Sequence, residues 1–309
     1  MFPFFFNGLK VGAKPHMWHA LPPKCLKLAS LKNHRPQCVE VSFHSRQCFI
    51  PFHCAHASSV SMAEFNQAQS YDEDNSAIQR RVGLDLMKLL APPKGSKVLD
   101  LGCGTGFLTK TLADLVGPEG RVVGIDPDLE RLKVAREKYP ASNLQYLEGS
   151  AVCIPDDGVG ELYDLVFCNF VLHWVKDKDA VFKEVSAKLK SGGKFGFVCL
   201  NHDVIKAMSR PPLVYSPQLV EAFASRMHYT PWEELSQIVS KNGFEVVDTK
   251  FFAVTQKFSG FSEFVRFHMA HMGGEYDQKH FNADAVREHY GEGEISIDDD
   301  VISVVLCKT

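Results

Sequence analysis

The feature that most constrains this chain is a short apolar run, Lys97 to Leu101, that ends on the turn Gly102-Cys103-Gly104-Thr105-Gly106 and passes at once into a helical pattern over about residues 107–116. A strand, a turn of three glycines and a helix in immediate succession form a β–turn–α unit. A strand that reaches a parallel neighbour through a helix commits the chain to a layered α/β fold.

The unit recurs. The run RVVGID at 121–126 is a second strand, and a helix from Leu129 to Lys138 follows, stopped by Tyr139 and Pro140. The segments LQYLEG and YDLVFCNF are a third and a fourth strand, and a helix from Lys178 to Leu189 leads through SGG to a fifth, KFGFVCL. Upstream, Ile78, Val82, Leu86 and Leu89 recur at helical spacing, giving an amphipathic helix that Pro92 and Pro93 end. Beyond Asn201 the rhythm changes. Residues 203–240 predict helices broken by Pro211, Pro212 and Pro217, NGFEVVDTKFFAVTQKF predicts a sixth strand, and residues 260–290 predict an aromatic- and histidine-rich helix. Asp298, Asp299 and Asp300 predict a solvated turn before a last strand, VISVVLCK. The expected architecture is α/β: a doubly wound, mostly parallel sheet with a helical cap built from about residues 203–240 and 260–290.

Charge divides the 309 residues unevenly. Residues 1–61 hold seven basic side chains and one acid, whereas residues 62–309 hold 27 basic and 36 acidic ones. An acidic body repels phosphate backbones, so nucleic acid is not an expected partner. No apolar run approaches the roughly 20 residues of a spanning helix, so no membrane partner is expected either. Residues 1–61 have no sustained period and are expected to be unstructured, either a mitochondrial transit peptide or an upstream extension of a domain at 62–309. Four of the nine cysteines lie in that leader and five in the body, with no CxxC pair and no four-ligand set that would hold zinc. Free thiols in apolar strands point to a reduced compartment, cytoplasmic or, with a transit peptide, mitochondrial.

The chemistry is carried by the glycine turn. Without side chains, its backbone N–H groups can approach a ligand closely. Asp126, at the end of the second strand, is placed to accept both ribose hydroxyls of an adenosine cofactor. Two cofactor classes share this geometry. A nicotinamide site normally shows GxGxxG, whereas this turn is GxGxG with Asp100 two residues before its first glycine. That carboxylate would repel a pyrophosphate and suits the cationic amino group and sulfonium of S-adenosylmethionine.

With VLDLGCGTG, the acid of GIDPD, the loop EGSAVCIP, the strand YDLVFCNFVLHWVKD and LKSGGKFGF in order, the chain resembles class I S-adenosylmethionine-dependent methyltransferases over about residues 70–309. Tyr71, Asn75 and Gln79 on the first helix, LHWV at 172–175 and the aromatic cap resemble the juvenile-hormone-acid and trans-aconitate group, which methylates small-molecule carboxylates. The resemblance implies a seven-stranded sheet whose last strand inserts antiparallel beside the fifth. It implies a cofactor site of Tyr71, Asp100, Gly102, Cys103, Gly104, Gly106, Asp126, Pro127, Ser150, Ala151 and Asn169, with Asn169 and Ala151 offering backbone groups. Ser150 replaces the family's usual aspartate opposite the adenine amino group, a hydrogen bond weaker by about 1 kcal/mol.

A carboxylate acceptor needs no general base, being ionised at neutral pH. Gln79 and Trp174 are the expected acceptor-binding pair. His173 is a candidate polar contact or base, and Tyr215 and Trp232 are candidate pocket walls. Phe261, Phe264 and Phe267 divide between pocket roof and core, Cys103 is packing, and His268 and His271 are expected at the surface. Three functions stand at this stage: methylation of a small molecule, methylation of a macromolecule, or cofactor binding without turnover. The missing [DN]PP[YF] motif counts against base N-methylation, since Phe170-Val171 follow Asn169.

Overall fold

The computed structural model describes residues 77–209, 213–271 and 277–309. The leader, Tyr71 and Asn75 lie outside the described residues. The described chain builds one seven-stranded sheet in the order β3-β2-β1-β4-β5-β7-β6. Its strands are β1 (Lys97–Leu101), β2 (Arg121–Asp126), β3 (Leu144–Glu148), β4 (Tyr163–Asn169), β5 (Leu189–Leu200), β6 (Phe244–Phe258) and β7 (Ile295–Lys308). The first five are parallel, and β7 enters antiparallel between β5 and β6, as the resemblance implies.

Each strand of the centre is apolar on both faces because helices cover both. On one face Leu99, Leu101, Val123, Ile125 and Val166 pack with Phe182, Phe195, Phe197 and Ile302. On the other, Val98, Val122, Leu165, Phe167 and Val198 pack under α1 (Ala77–Leu90) and α2 (Phe107–Val116). The alternation of Val98 with Leu99 is the period-two pattern of a strand buried on both sides. On α1 the buried stripe is Val82, Leu86, Met87 and Leu90. The chain leaves the helix through Ala91 in a left-handed conformation, φ 46°, before the two prolines. The helices α3 (Leu129–Lys138) and α4 (Lys178–Lys188) start on aspartate caps: Asp128 accepts from the amides of Glu130 and Arg131, Asp177 from that of Ala180.

The cap has a core of its own. It comprises α5 (Val204–Met208), α6 (Pro217–Arg226), α8 (Phe261–His271) and α9 (Ala283–Tyr290), which bury Met208, Leu219, Phe223, Phe264 and Val286 against the β6 and β7 residues Phe258 and Ile295. The helix α7 (Trp232–Lys241) does not join it. Its Leu235 and Val239 are buried in the core of the sheet beside Phe244, and Trp232 packs there too.

Two expectations are corrected. The SGG segment lies inside β5 rather than before it: Tyr163 pairs with Leu189 and Leu165 with Lys194, so the glycines form a bulge. The acidic triplet is strand, not turn, because β6 continues far enough to pair Ala253, Val254 and Thr255 with Asp300, Asp299 and Asp298. Ladder hydrogen bonds outweigh the poor strand preference of aspartate there.

Candidate active site

Strand order reverses at β1, whose neighbours β2 and β4 lead away on either side, and a crevice opens above their carboxyl ends, where open α/β sheets bind ligands. Three polar side chains stand there because each is the last or next-to-last residue of its strand: Asp100, Asp126 and Asn169. The cleft between them is also lined by Arg80, Gly102, Cys103, Gly104, Pro127, Arg131, Ser150 and Ala151.

The glycine turn works differently from the expectation of free amides. The N–H groups of Gly102 and Cys103 both donate to Ile125 O, that of Gly106 donates to Cys103 O, and that of Gly104 donates to Asp126 Oδ2 at 2.9 Å. The turn therefore supplies shape. At Gly102 (φ 78°) a Cβ would lie 2.3 Å from Val171 Cγ2, so glycine is required for the chain to pack on itself. At Gly104 (φ 55°) a Cβ would meet no protein atom within 4 Å and would project into open space at a residue that lines the cleft.

Asp126 is 5% exposed, and its second oxygen accepts from Asp128 N at 2.9 Å. Burial pushes its carboxyl above the usual range, against Arg131 and the two amides, which hold it down. Each carboxylate oxygen has a further lone pair, so the group retains capacity for two hydroxyl donors. Asp100, 2% exposed, accepts from Thr109 Oγ1 at 2.7 Å, and burial raises its carboxyl to about 7. Asn169 donates from Nδ2 to Gln79 O at 2.9 Å, while its Oδ1 is buried with no partner. Ser150 sits in a two-way backbone bridge with Cys153 that fixes the loop. Burial raises the Cys103 thiol well above its ordinary value, so it is no nucleophile.

A second cavity lies under the cap, and the two share Gln79, Phe170, Trp174 and His271. Phe170, at the exit of β4, has φ 57°, a left-handed backbone costing about 1–3 kcal/mol in a non-glycine residue. Its amide is held by Val198 O at 2.8 Å. The following 3-10 turn (Leu172–Trp174) brings His173 and Trp174 to the cavity, and Trp174 stacks on His271 with centroids 6.4 Å apart. Tyr215, Phe267 and His268 complete its apolar side.

His268 and His271 face inward, not to the surface. Their Nδ1 atoms lie 2.8 and 2.7 Å from the carbonyls of Phe264 and Phe267, so Nδ1 donates and Nε2 of His268 accepts from Tyr215 Oη at 3.1 Å. Burial lowers both imidazoles to about 4 and His173 to about 3, leaving all three neutral near pH 7. The structure brings Gln79, His173, Trp174 and Tyr215 to this cavity and does not bring Trp232, which packs under the sheet. Sequence reasoning missed Arg80, Arg131, Phe170 and His271. A helical pattern does not say which face a ligand will see, and no residue type signals a left-handed phenylalanine.

Residues 98–193 match the family model for a methyltransferase domain. Among curated relatives, the demethylmenaquinone methyltransferase of Anoxybacillus flavithermus is 37% identical over 160 residues, covering 50% of this chain and 63% of that protein. The arsenite methyltransferase of Mus musculus is 31% identical over 188 residues, covering 57% of this chain and 47% of that protein. The chain thus spans less than two thirds of the length of these relatives. A solved putative methyltransferase from Bacillus halodurans superposes with a TM-score of 0.52 at 19% identity, over 73% of this chain and 98% of that one. That likeness shows the fold, a seven-stranded, mostly parallel sheet with helices on both faces.

Proposed function

We propose that this chain is an S-adenosylmethionine-dependent methyltransferase acting on a small molecule held under the cap. The observation that carries the reading is the shared wall of Gln79, Phe170, Trp174 and His271 between a cleft suited to the cofactor and a separate acceptor cavity. The cleft fits the cofactor on its own terms. It has a cradle that a Cβ at Gly104 would fill, a buried carboxylate for ribose, and an orphaned Asn169 Oδ1 for an ammonium donor. Arg80 and Arg131, which line the same cleft, bring positive charge for a carboxylate. The bound cofactor supplies an activated methyl group.

The chain's own residues hold and align. Asp126 would take the ribose, Ala151 and Ser150 border the adenine end, and Asp100 would face the cation, ionising as the cation arrives. Phe170 and Trp174 exclude water from the meeting point, which strengthens each charge interaction there. The carboxylate acceptor implied by the family resemblance would rest on Gln79 and Trp174, since among the described residues no lysine or arginine lines the acceptor cavity.

Calorimetry with S-adenosylmethionine tests the cofactor assignment, and absence of binding at millimolar concentration overturns it. Transfer of labelled methyl into a metabolite extract, compared with transfer into protein, tests the small-molecule acceptor. Label confined to protein would favour the macromolecular alternative.

A further inference from the structure

We propose that the acceptor cavity takes a small aromatic or alkyl amine as its cation, with the ammonium against Asp299 and the apolar body between Trp174, Phe267 and Tyr215. The inference deepens the methyltransferase reading and rests on it for the word acceptor. The strand pairing sets the geometry. Val254 pairs with Asp299 and Gln256 with Ile297, and these four residues all line the cavity, so this face of the β6–β7 ladder forms one of its walls. Asp298 also borders the cavity, but its Oδ1 is engaged by Thr255 Oγ1 at 2.6 Å, and Asp300, on the alternate face of the strand, is not part of the lining.

Asp299 therefore brings a carboxylate to a cavity with no lysine or arginine in its lining among the described residues. Its one ion-pair contact among the described residues is His202 Nε2 at 3.4 Å, a long one. Lys178, which lies behind His173, is directed at the carbonyls of Val175 and His228 instead. The other imidazoles of the lining, His173, His268 and His271, are neutral near pH 7 and add no positive charge. Burial and the flanking Asp300 and Asp298 push the Asp299 carboxyl upward against His202, so a ligand ammonium beside it would favour its ionised form.

An independent observation points to a ligand with hydrogen-bonding capacity. His173 lines the same cavity at 6% exposure, and its Nδ1 is buried with no partner. A buried nitrogen without a partner is costly unless something else supplies one. Aromatic faces add cation–π attraction for an ammonium and none for a carboxylate. Asp299 is absent from the wall shared with the cofactor cleft, so the ammonium serves as an anchor, and the methylated atom is whichever one reaches Gln79 and Trp174.

The test is calorimetric titration of the full chain, without cofactor, using phenethylamine and its carboxylate counterpart hydrocinnamate. The expected result is binding of phenethylamine at least tenfold tighter than hydrocinnamate. Asp299→Asn should weaken the amine about tenfold or more, and Asp300→Asn, on the alternate face of β7 and outside the cavity lining, should leave it unchanged. No amine binding, equal or tighter hydrocinnamate binding, or an equal loss in the two variants would overturn the proposal. Circular dichroism checks that Asp299→Asn folds; should it not, the comparison of the two ligands on the unaltered chain decides. Because no methyl is transferred, failure here is separable from failure of the cofactor assignment.

Discussion

Two carboxylates at the strand ends do different work. Asp126 is tied to the turn through Gly104 N and Asp128 N, and by the proposed reading it also carries the ribose. Replacing it by alanine is expected to weaken S-adenosylmethionine by about 2 kcal/mol, roughly 30-fold, read by calorimetry. An unchanged dissociation constant would remove it from the site. Asp100 has its carboxyl raised to about 7, so without a cation beside it the group gains its charge only near neutrality. A cationic ligand prefers the ionised form, so its affinity should rise as pH increases from about 6 to about 8, and Asp100→Asn should flatten that profile. The same group has the opposite effect on folding. Its folded value lies above its unfolded one, so its contribution to stability is full below about 4 and is lost as pH rises through about 7.

At the scale of elements, the β–turn–α rhythm through residue 200 was legible because period-two and period-3.6 patterns alternate cleanly between glycine and proline stops. Asp126 and the glycine turn were legible because their position follows from that rhythm. What the sequence hid is tertiary. Asp298 to Asp300 look like a turn until β6 is there to pair with them. Trp232 looks like a cap aromatic until α7 is seen beneath the sheet. His268 and His271 lie on one helix face, and only packing decides that the face turns inward.

The two glycines of the turn make a paired prediction. Gly104→Val strains a left-handed residue by about 1–2 kcal/mol, but its Cβ meets no protein atom within 4 Å, so the chain should fold and lose cofactor binding. Gly102→Val drives a side chain into Val171 and should disrupt the turn itself. Circular dichroism with calorimetry reads both. A folded Gly104→Val variant with undiminished affinity would show that the turn does not line the cofactor.

Over the whole molecule, stability and function are set at opposite ends of the sheet. At the amino ends of β1 and β4, Lys97 Nζ meets Asp157 Oδ2 at 2.8 Å, both side chains buried, and Tyr163 Oη donates to the same carboxylate at 3.1 Å. Although burial opposes it, the Lys97 ammonium and these hydrogen bonds hold the Asp157 carboxyl below its ordinary value. Asp157→Ala leaves the lysine buried without its partner and is expected to cost about 3 kcal/mol in urea unfolding at neutral pH, with cofactor affinity unchanged. The contribution of Asp157 is present above the ordinary carboxylate range and is lost as pH falls below about 4, so the gap between variant and parent should close in acid. Phe264, at the centre of the cap core, makes the complementary case. Phe264→Ala is expected to cost about 3–4 kcal/mol and to speed amide exchange in α8 and α9 while sparing β1 and β2. Equal acceleration across the sheet would show that cap and sheet open together.

The placement of β7 also governs how this protein is made. Because β6 is bonded in the sheet only to β7, a ribosome that has delivered β6 but not yet β7 holds a fifteen-residue strand with neither edge paired. Phe251, Phe252, Val246 and Val247 stay exposed on that strand even in the finished fold. During synthesis that nascent ribbon is open to annealing with a neighbouring copy, and chaperone demand should be concentrated in the interval before the final strand emerges.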